Sequence, residues 1–164
     1  MTSLAASDVV PDFTLKNTSG GPVRLSEYQK GGPVLLVFFK HDCPTCQLAM
    51  PFLERIYRRC RGKSLAFLAV IEDGKLEAAA FAKEYAVMMP MVLDEAPYKA
   101  SADCGLTNVP TVFLVDAGRR ILLSQVGFHK KTYQEFADRA ADLAGVPRQE
   151  LFSGVDRVPE SRPG

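Results

Sequence analysis

The chain has 164 residues, of which 47% are hydrophobic and 24% are charged, and its formal net charge is +1. This length favours one domain, and the hydrophobic fraction is high enough for a buried core, which excludes a disordered chain. The small net charge and the scattered Lys and Arg residues argue against a nucleic-acid partner. The longest apolar runs, at 34–39 and 65–71, are much shorter than the roughly 18 residues of a membrane span, so no transmembrane segment is expected.

Residues 1–10 are expected to form an N-terminal extension. They contain no basic segment followed by an apolar one, so no signal peptide is predicted and a cytoplasmic location is expected. A trimmed N-terminus would instead allow an extracytoplasmic location.

In the first half of the chain, the pattern predicts a hairpin, a buried strand and a long helix. The strand is apolar on both faces, as expected at the centre of a covered sheet. Pro51 falls inside the helix and is expected to kink it. The predicted elements are extended segments at 12–15 and 22–25 around a turn, a helical turn at 26–28, a strand at 33–39 and a helix at 47–61.

The second half continues the alternation of strands and helices and ends in a polar tail. Its predicted elements are strands at 65–71, 91–93, 111–115 and 121–126, and helices at 76–86, 96–104 and 132–144. The tail, 147–164, is expected to be loosely ordered, with Leu151 and Phe152 as its docking point. This order of elements predicts an α/β fold with a mixed sheet and helices on both faces.

Two of the four cysteines, Cys43 and Cys46, lie two residues apart where the strand gives way to the helix. This spacing is typical of a reactive dithiol, although zinc sites share it. A helix N-terminus offers unpaired N–H groups that stabilise a thiolate. The sequence therefore predicts Cys43 as helix cap and exposed nucleophile, Pro44 as the first helical residue, and Cys46 as the resolving thiol one turn inward. Cys60 and Cys104 are expected to be spare thiols, and a redox role for either stays open.

His41 and Asp42 precede the two cysteines and would have opposite effects on the ionisation of Cys43. A protonated His41 would favour a Cys43 thiolate, whereas the charge of Asp42 would oppose it. The sequence leaves open which of the two lies nearer to the sulfur.

Three features together resemble thioredoxin-fold proteins: the Cys43-Pro44-Thr45-Cys46 motif, the helix proline Pro51, and Val109-Pro110 ahead of a hairpin. The resemblance implies that the Val109–Pro110 bond is cis and that Pro110 faces the dithiol. It also implies that the backbone of Val109 contacts the substrate, and Pro44 and Thr45 are expected to line the same groove.

The segments 11–15 and 21–28 are similar to the N-terminal hairpin of the TlpA/ResA-type thiol–disulfide oxidoreductases and their AhpC/TSA-related peroxiredoxin relatives. This resemblance implies a thioredoxin-like domain over residues 11–146, with a mixed central sheet, helices on both faces and the added hairpin. The chain departs from the pattern at Asp42, where Trp is usual, and at Val37, where thioredoxin has a buried carboxylate.

The function implied by the resemblance is that of a thiol–disulfide oxidoreductase that reduces or exchanges disulfides in protein substrates, with a part in antioxidant activity and cell redox homeostasis. No cofactor or metal is implied, because the electrons reside on Cys43 and Cys46. A further redox partner is required to reduce or oxidise the dithiol, and a monomer is expected. The sequence does not predict the redox direction.

Two other functions fit parts of the pattern. A thiol peroxidase shares the hairpin, but it needs Thr or Ser three residues before the reacting cysteine, where this chain has Cys43 or Lys40. A metal-binding module could use His41, Cys43, Cys46 and Cys104, but the second close-spaced ligand pair of a structural zinc site is absent.

Overall fold

The structure is a computed structural model that describes residues 4–164. Its strands are β1 Thr14–Asn17, β2 Pro22–Arg24, β3 Val34–Phe39, β4 Ala66–Ile71, β5 Met91–Leu93, β6 Thr111–Val115, β7 Ile121–Val126, β8 Phe128–His129 and β9 Ser161–Arg162. Its helices are α1 Leu25–Tyr28, α2 Pro44–Cys60, α3 Lys75–Glu84, α4 Lys99–Asp103 and α5 Lys130–Ala144. The predicted order of elements is confirmed, and β8 and β9 are additional short strands that the sequence did not predict. Helix α2 begins at Pro44, earlier than the apolar periodicity alone indicates, and the kink at Pro51 stays a prediction.

Seven strands form one mixed sheet in the order β2-β1-β5-β4-β3-β6-β7. Strand β4 is parallel to β3 and to β5, whereas the other pairs in this sheet are antiparallel. The N-terminal hairpin that the resemblance implies is present, and it extends the sheet beside β5. In the β3–β4 pair, Phe39 lies opposite Ile71. The residues that follow β3 and β4 therefore lie close together, at the carboxyl ends of these two parallel strands.

Helices cover both faces of the sheet, which confirms the predicted fold class. Every residue of β3 is buried, and its side chains alternate between two apolar clusters. Leu35 and Val37 pack with residues of α2, α3 and α5, whereas Leu36 and Phe38 pack with residues of α1 and α4. Among residues 4–164, none of the helices is both long enough and apolar enough to cross a bilayer.

The tail after α5 docks at Leu151 and Phe152, as the sequence predicts. Leu151 is fully buried, and its carbonyl accepts a hydrogen bond from Arg55 Nη1 at 2.7 Å. The backbone N–H of Leu151 donates to Gln134 Oε1 at 2.7 Å, and the rings of Phe152 and Phe52 lie 4.8 Å apart. The tail is therefore joined to both α2 and α5.

Beyond this docking point, the tail continues along the domain surface. Asp156 forms an ion pair with Arg55 at 2.9 Å, and β9 pairs antiparallel with β8. These partners are distant in sequence, so local composition, which predicts a loose segment here, does not reveal them.

We expect Leu151→Ala to reduce the free energy of unfolding by about 2–5 kcal/mol, because it removes a fully buried side chain from the main apolar cluster. Urea denaturation followed by circular dichroism measures this change. Val155→Ala, at a position that is 86% exposed, is the matched control and should leave the midpoint unchanged. Equal stabilities of the two variants would show that the tail does not dock in solution.

Candidate active site

Cys43 is the N-cap of α2, and Pro44 is its first residue. The Cys43 backbone is extended, with φ −92° and ψ 113°, and its sulfur accepts a hydrogen bond from the Cys46 N–H at 3.1 Å. Pro44 has no N–H to leave unpaired at this position. The half-buried sulfur of Cys43 thus faces a backbone donor that stabilises negative charge, as the sequence predicts.

Cys46 lies one turn further into α2 and is fully buried. Burial raises the pKa of the Cys46 thiol far above its ordinary value, and the hydrogen bond to Cys43 and the charge of Glu72 act in the same direction. The two sulfurs therefore differ in access, and burial disfavours the thiolate of Cys46. This difference suits an outer thiol that attacks first and an inner one that follows.

The Val109–Pro110 peptide bond is cis, as the family resemblance implies. The Val109 carbonyl lies 3.5 Å from the Cys43 sulfur, whose thiol donates to it. A cavity of about 420 Å³ opens at this point, and Cys43, Pro44 and Val109 contribute to its lining. The structure thus brings the predicted substrate-binding residues Pro44 and Val109 to the dithiol, with Pro110 buried beside them.

Thr45, the fourth predicted substrate-binding residue, is only 3% exposed. Its hydroxyl donates a hydrogen bond of 2.7 Å to the carbonyl of Pro163, in the tail. Gly164 lines the same cavity as Cys43. The tail therefore belongs to the site, although no local pattern in the sequence indicates it.

Glu72 also lies at the site, and the sequence did not predict its presence there. It follows β4 directly, its N–H donates to the Phe39 carbonyl at 2.8 Å, and its side chain lines the cavity beside Cys43. Burial raises the pKa of the Glu72 carboxyl above its ordinary value of 4.5, while the charge of Lys40 acts in the opposite direction. The parallel arrangement of β3 and β4 could have indicated this carboxylate, because the ends of both strands meet at the dithiol.

The His41 side chain is bound to Asp73. Its Nδ1 lies 2.7 Å from Asp73 Oδ1, and its backbone N–H donates to Oδ2 of the same carboxylate at 2.8 Å. The His41 carbonyl accepts a hydrogen bond from Gln47 Nε2 at 3.0 Å, whereas Asp42 is exposed. These bonds connect the loop before Cys43 to the loop after β4.

The remaining cysteines lie away from the site. Cys60 is 2% exposed and packs in the cluster under α2, whereas Cys104 is 1% exposed on the opposite face of the sheet. Burial raises the pKa of Cys104 to about 12. Over residues 4–164, the structure contains no group of three or more His, Cys, Asp and Glu side chains suited to hold a metal ion. The ligand set considered from the sequence, with Cys104 as fourth member, is not brought together.

A dithiol at a helix N-terminus beside a cis-proline, on a mixed sheet with helices on both faces, defines a thioredoxin-like protein. The chain belongs to the AhpC/TSA family, whose model matches residues 6–123.

Known proteins of this kind are similar over most of the chain. ResA of Geobacillus thermodenitrificans, a thiol-disulfide oxidoreductase, is 30% identical over 121 residues, which cover 73% of this chain and 68% of ResA. A Chlorobium tepidum protein assigned as the thiol:disulfide interchange protein DsbE has a similar structure, with a TM-score of 0.76 and 26% identity. The match covers 87% of this chain and 100% of the Chlorobium chain. The peroxidoxin BcpB of Mycobacterium tuberculosis shares the fold, with a TM-score of 0.70 and 22% identity, over 85% of this chain and 97% of the BcpB chain. The predicted class, a TlpA/ResA-like thiol–disulfide oxidoreductase, is confirmed.

We expect Glu72→Gln to raise the free energy of unfolding at pH 7. The folded state raises the pKa of Glu72, so it binds this proton more tightly than the unfolded state does, and ionisation above that pKa costs stability. The gain should shrink as the pH falls below about 4.5, where the carboxyl is protonated in both states.

Urea denaturation of the reduced protein at pH 7 and pH 4 measures this difference. Glu84→Gln, at an exposed position of α3, is the matched control and should change stability at neither pH. A loss of stability in Glu72→Gln at pH 7 would contradict the expectation.

Proposed function

We propose that this protein uses Cys43 and Cys46 to reduce or exchange disulfides in protein substrates. One observation carries the proposal: the half-buried sulfur of Cys43 is held at the N-terminus of α2, directly outside the fully buried Cys46. The similarity to ResA, a thiol-disulfide oxidoreductase, supports the same chemistry.

The reaction takes place in two exchanges. The Cys43 thiolate attacks one sulfur of the substrate disulfide, a mixed disulfide forms, and the other substrate sulfur leaves as a thiolate that takes up a proton. Cys46 then loses its proton and attacks the Cys43 sulfur, which releases the second substrate thiol. The substrate gains two electrons, and the protein retains a Cys43–Cys46 disulfide.

A second dithiol must return these electrons before the next turnover. We assign this role to a redox partner that exchanges with the Cys43–Cys46 disulfide by the same two steps. This partner reaches the disulfide past Pro44, which is exposed. The monomeric state and the cytoplasmic location expected from the sequence stand as further proposals.

In graded thiol–disulfide buffers, we expect Cys43 and Cys46 to titrate together as one two-electron pair. Alkylation followed by mass spectrometry counts the free thiols at each potential. A midpoint near about −270 mV would mark a reductant, and one near about −120 mV an oxidant.

Cys43→Ser should abolish disulfide reduction, whereas Cys46→Ser should accumulate the mixed disulfide. Cys60→Ala, which changes a buried thiol away from the site, should keep the activity. If no disulfide joins Cys43 and Cys46 at any potential, the two-step mechanism is wrong.

Peroxide reduction is the second candidate, because the family model and the BcpB structure include this class of protein. It is less favoured, since Lys40 stands where a peroxidase that reacts through Cys43 needs a hydroxyl. We therefore expect the reduced protein to consume hydrogen peroxide at a rate close to that of a free thiol, measured by loss of peroxide under pseudo-first-order conditions. Rapid turnover at low peroxide would reverse the ranking of the two functions.

A further inference from the structure

Residues 161–164 lie across the groove beside Cys43. On one side, the Thr45 hydroxyl of α2 donates to the Pro163 carbonyl at 2.7 Å. On the other side, Asn108 Nδ2, in the loop before β6, donates to the Gly164 oxygen at 3.0 Å. The segment therefore joins the two walls between which a substrate is expected to bind.

Gly164 is packed closely on Val109, the residue whose backbone is expected to contact substrates. A side chain at position 164 would collide with the Val109 carbonyl. Below the segment, a Cβ at Gly127 would lie within 3.0 Å of the backbone of Arg162 and of Gly164. The groove therefore admits an extended backbone with a residue of minimal size facing Val109.

The segment is anchored upstream, so it remains close to the groove even when its last residues leave it. Ser161 and Arg162 pair with β8, and the Glu160 carbonyl accepts the Lys130 N–H at 2.8 Å. Further back, Leu151 is buried and Asp156 is bound to Arg55. Such tethering gives the last residues a high effective concentration at the groove.

We propose that residues 161–164 are a built-in occupant of the substrate groove, which a protein substrate must displace before its disulfide reaches Cys43. This rests on the proposed function, in which Cys43 attacks disulfides in polypeptides. The substrate segment that replaces the occupant is extended and carries a small residue facing Val109. Only molecules with an open groove bind protein substrates. The apparent affinity for these substrates therefore equals the intrinsic affinity multiplied by the fraction of molecules whose groove is open. Small disulfides that do not use the groove are affected less.

Two variants test the occupant by different means. A chain that ends at Glu160 lacks the segment but retains the anchors at Leu151 and Asp156, and Gly164→Leu displaces it by collision with Val109. We expect both to reduce insulin about threefold faster or more than the parent, while reduction of dithiobis(nitrobenzoate) changes by less than about twofold. Gly154→Ala is the matched control, because a Cβ there meets no atom within 4 Å, and its rates should equal those of the parent. The proposal is overturned if the shortened chain reduces insulin no faster than the parent.

A spectroscopic test does not depend on turnover. In Cys46→Ser, a peptide whose single cysteine carries thionitrobenzoate is coupled to Cys43: the Cys43 sulfur bonds to the peptide sulfur, and thionitrobenzoate leaves as a thiolate. We expect the Gly164 amide signal in the NMR spectrum to move to its position in an unstructured peptide, because the coupled peptide takes the groove. An unmoved signal overturns the proposal. Failure of the proposed function is distinct, since the parent would then neither reduce insulin nor form the Cys43–Cys46 disulfide.

Discussion

The hydrogen bond from the Cys46 N–H to the Cys43 sulfur is the interaction on which the site depends. It requires that α2 begin at Pro44, so that the first turn has unpaired donors and the sulfur takes one of them. The fixed position of that turn comes in turn from β3, which is buried on both faces and ends at Phe39. Replacing Cys43, the N-cap of α2, by a residue whose side chain accepts no hydrogen bond would leave the fold intact but abolish the thiol–disulfide exchange.

The site also contains groups whose burial does not stabilise the folded protein. Cys46 is fully buried, although its reaction requires a thiolate, and the half-buried Glu72 carboxyl lies near it. Burial disfavours the charged form of both groups. Two large apolar clusters, one on each face of the sheet, offset this cost. A site of this kind therefore needs a domain with a substantial core around a small number of poorly solvated polar groups.

Local patterns predicted the strands of the seven-stranded sheet, the helices, the hairpin and the dithiol, because each depends on residues close together in the chain. They did not predict β8 and β9, which pair only because the tail returns to the domain. Val109 and Pro110 were placed at the site only through the family resemblance, since their distance from Cys43 in sequence gives no physical signal. Glu72 was missed although its position after a buried parallel strand could have indicated it. The contacts of Thr45 with Pro163 and of Asn108 with Gly164 could not be predicted, because they depend on how the tail crosses α2 and α5. Polar, Pro- and Gly-rich composition gives the same pattern whether such a segment docks or not.

The N-terminal hairpin has a consequence for the behaviour of the protein at high concentration. It places β2 at one edge of the sheet, and this strand is three residues long, begins with Pro22 and ends with Arg24. At the other edge, the Ser7 N–H donates to the Ile121 carbonyl, and Val9 forms a bridge with Arg120, so the start of β7 is covered. Short, charged or covered edges resist pairing with the edge of another molecule. The sheet is thereby protected against edge-to-edge aggregation at both of its edges.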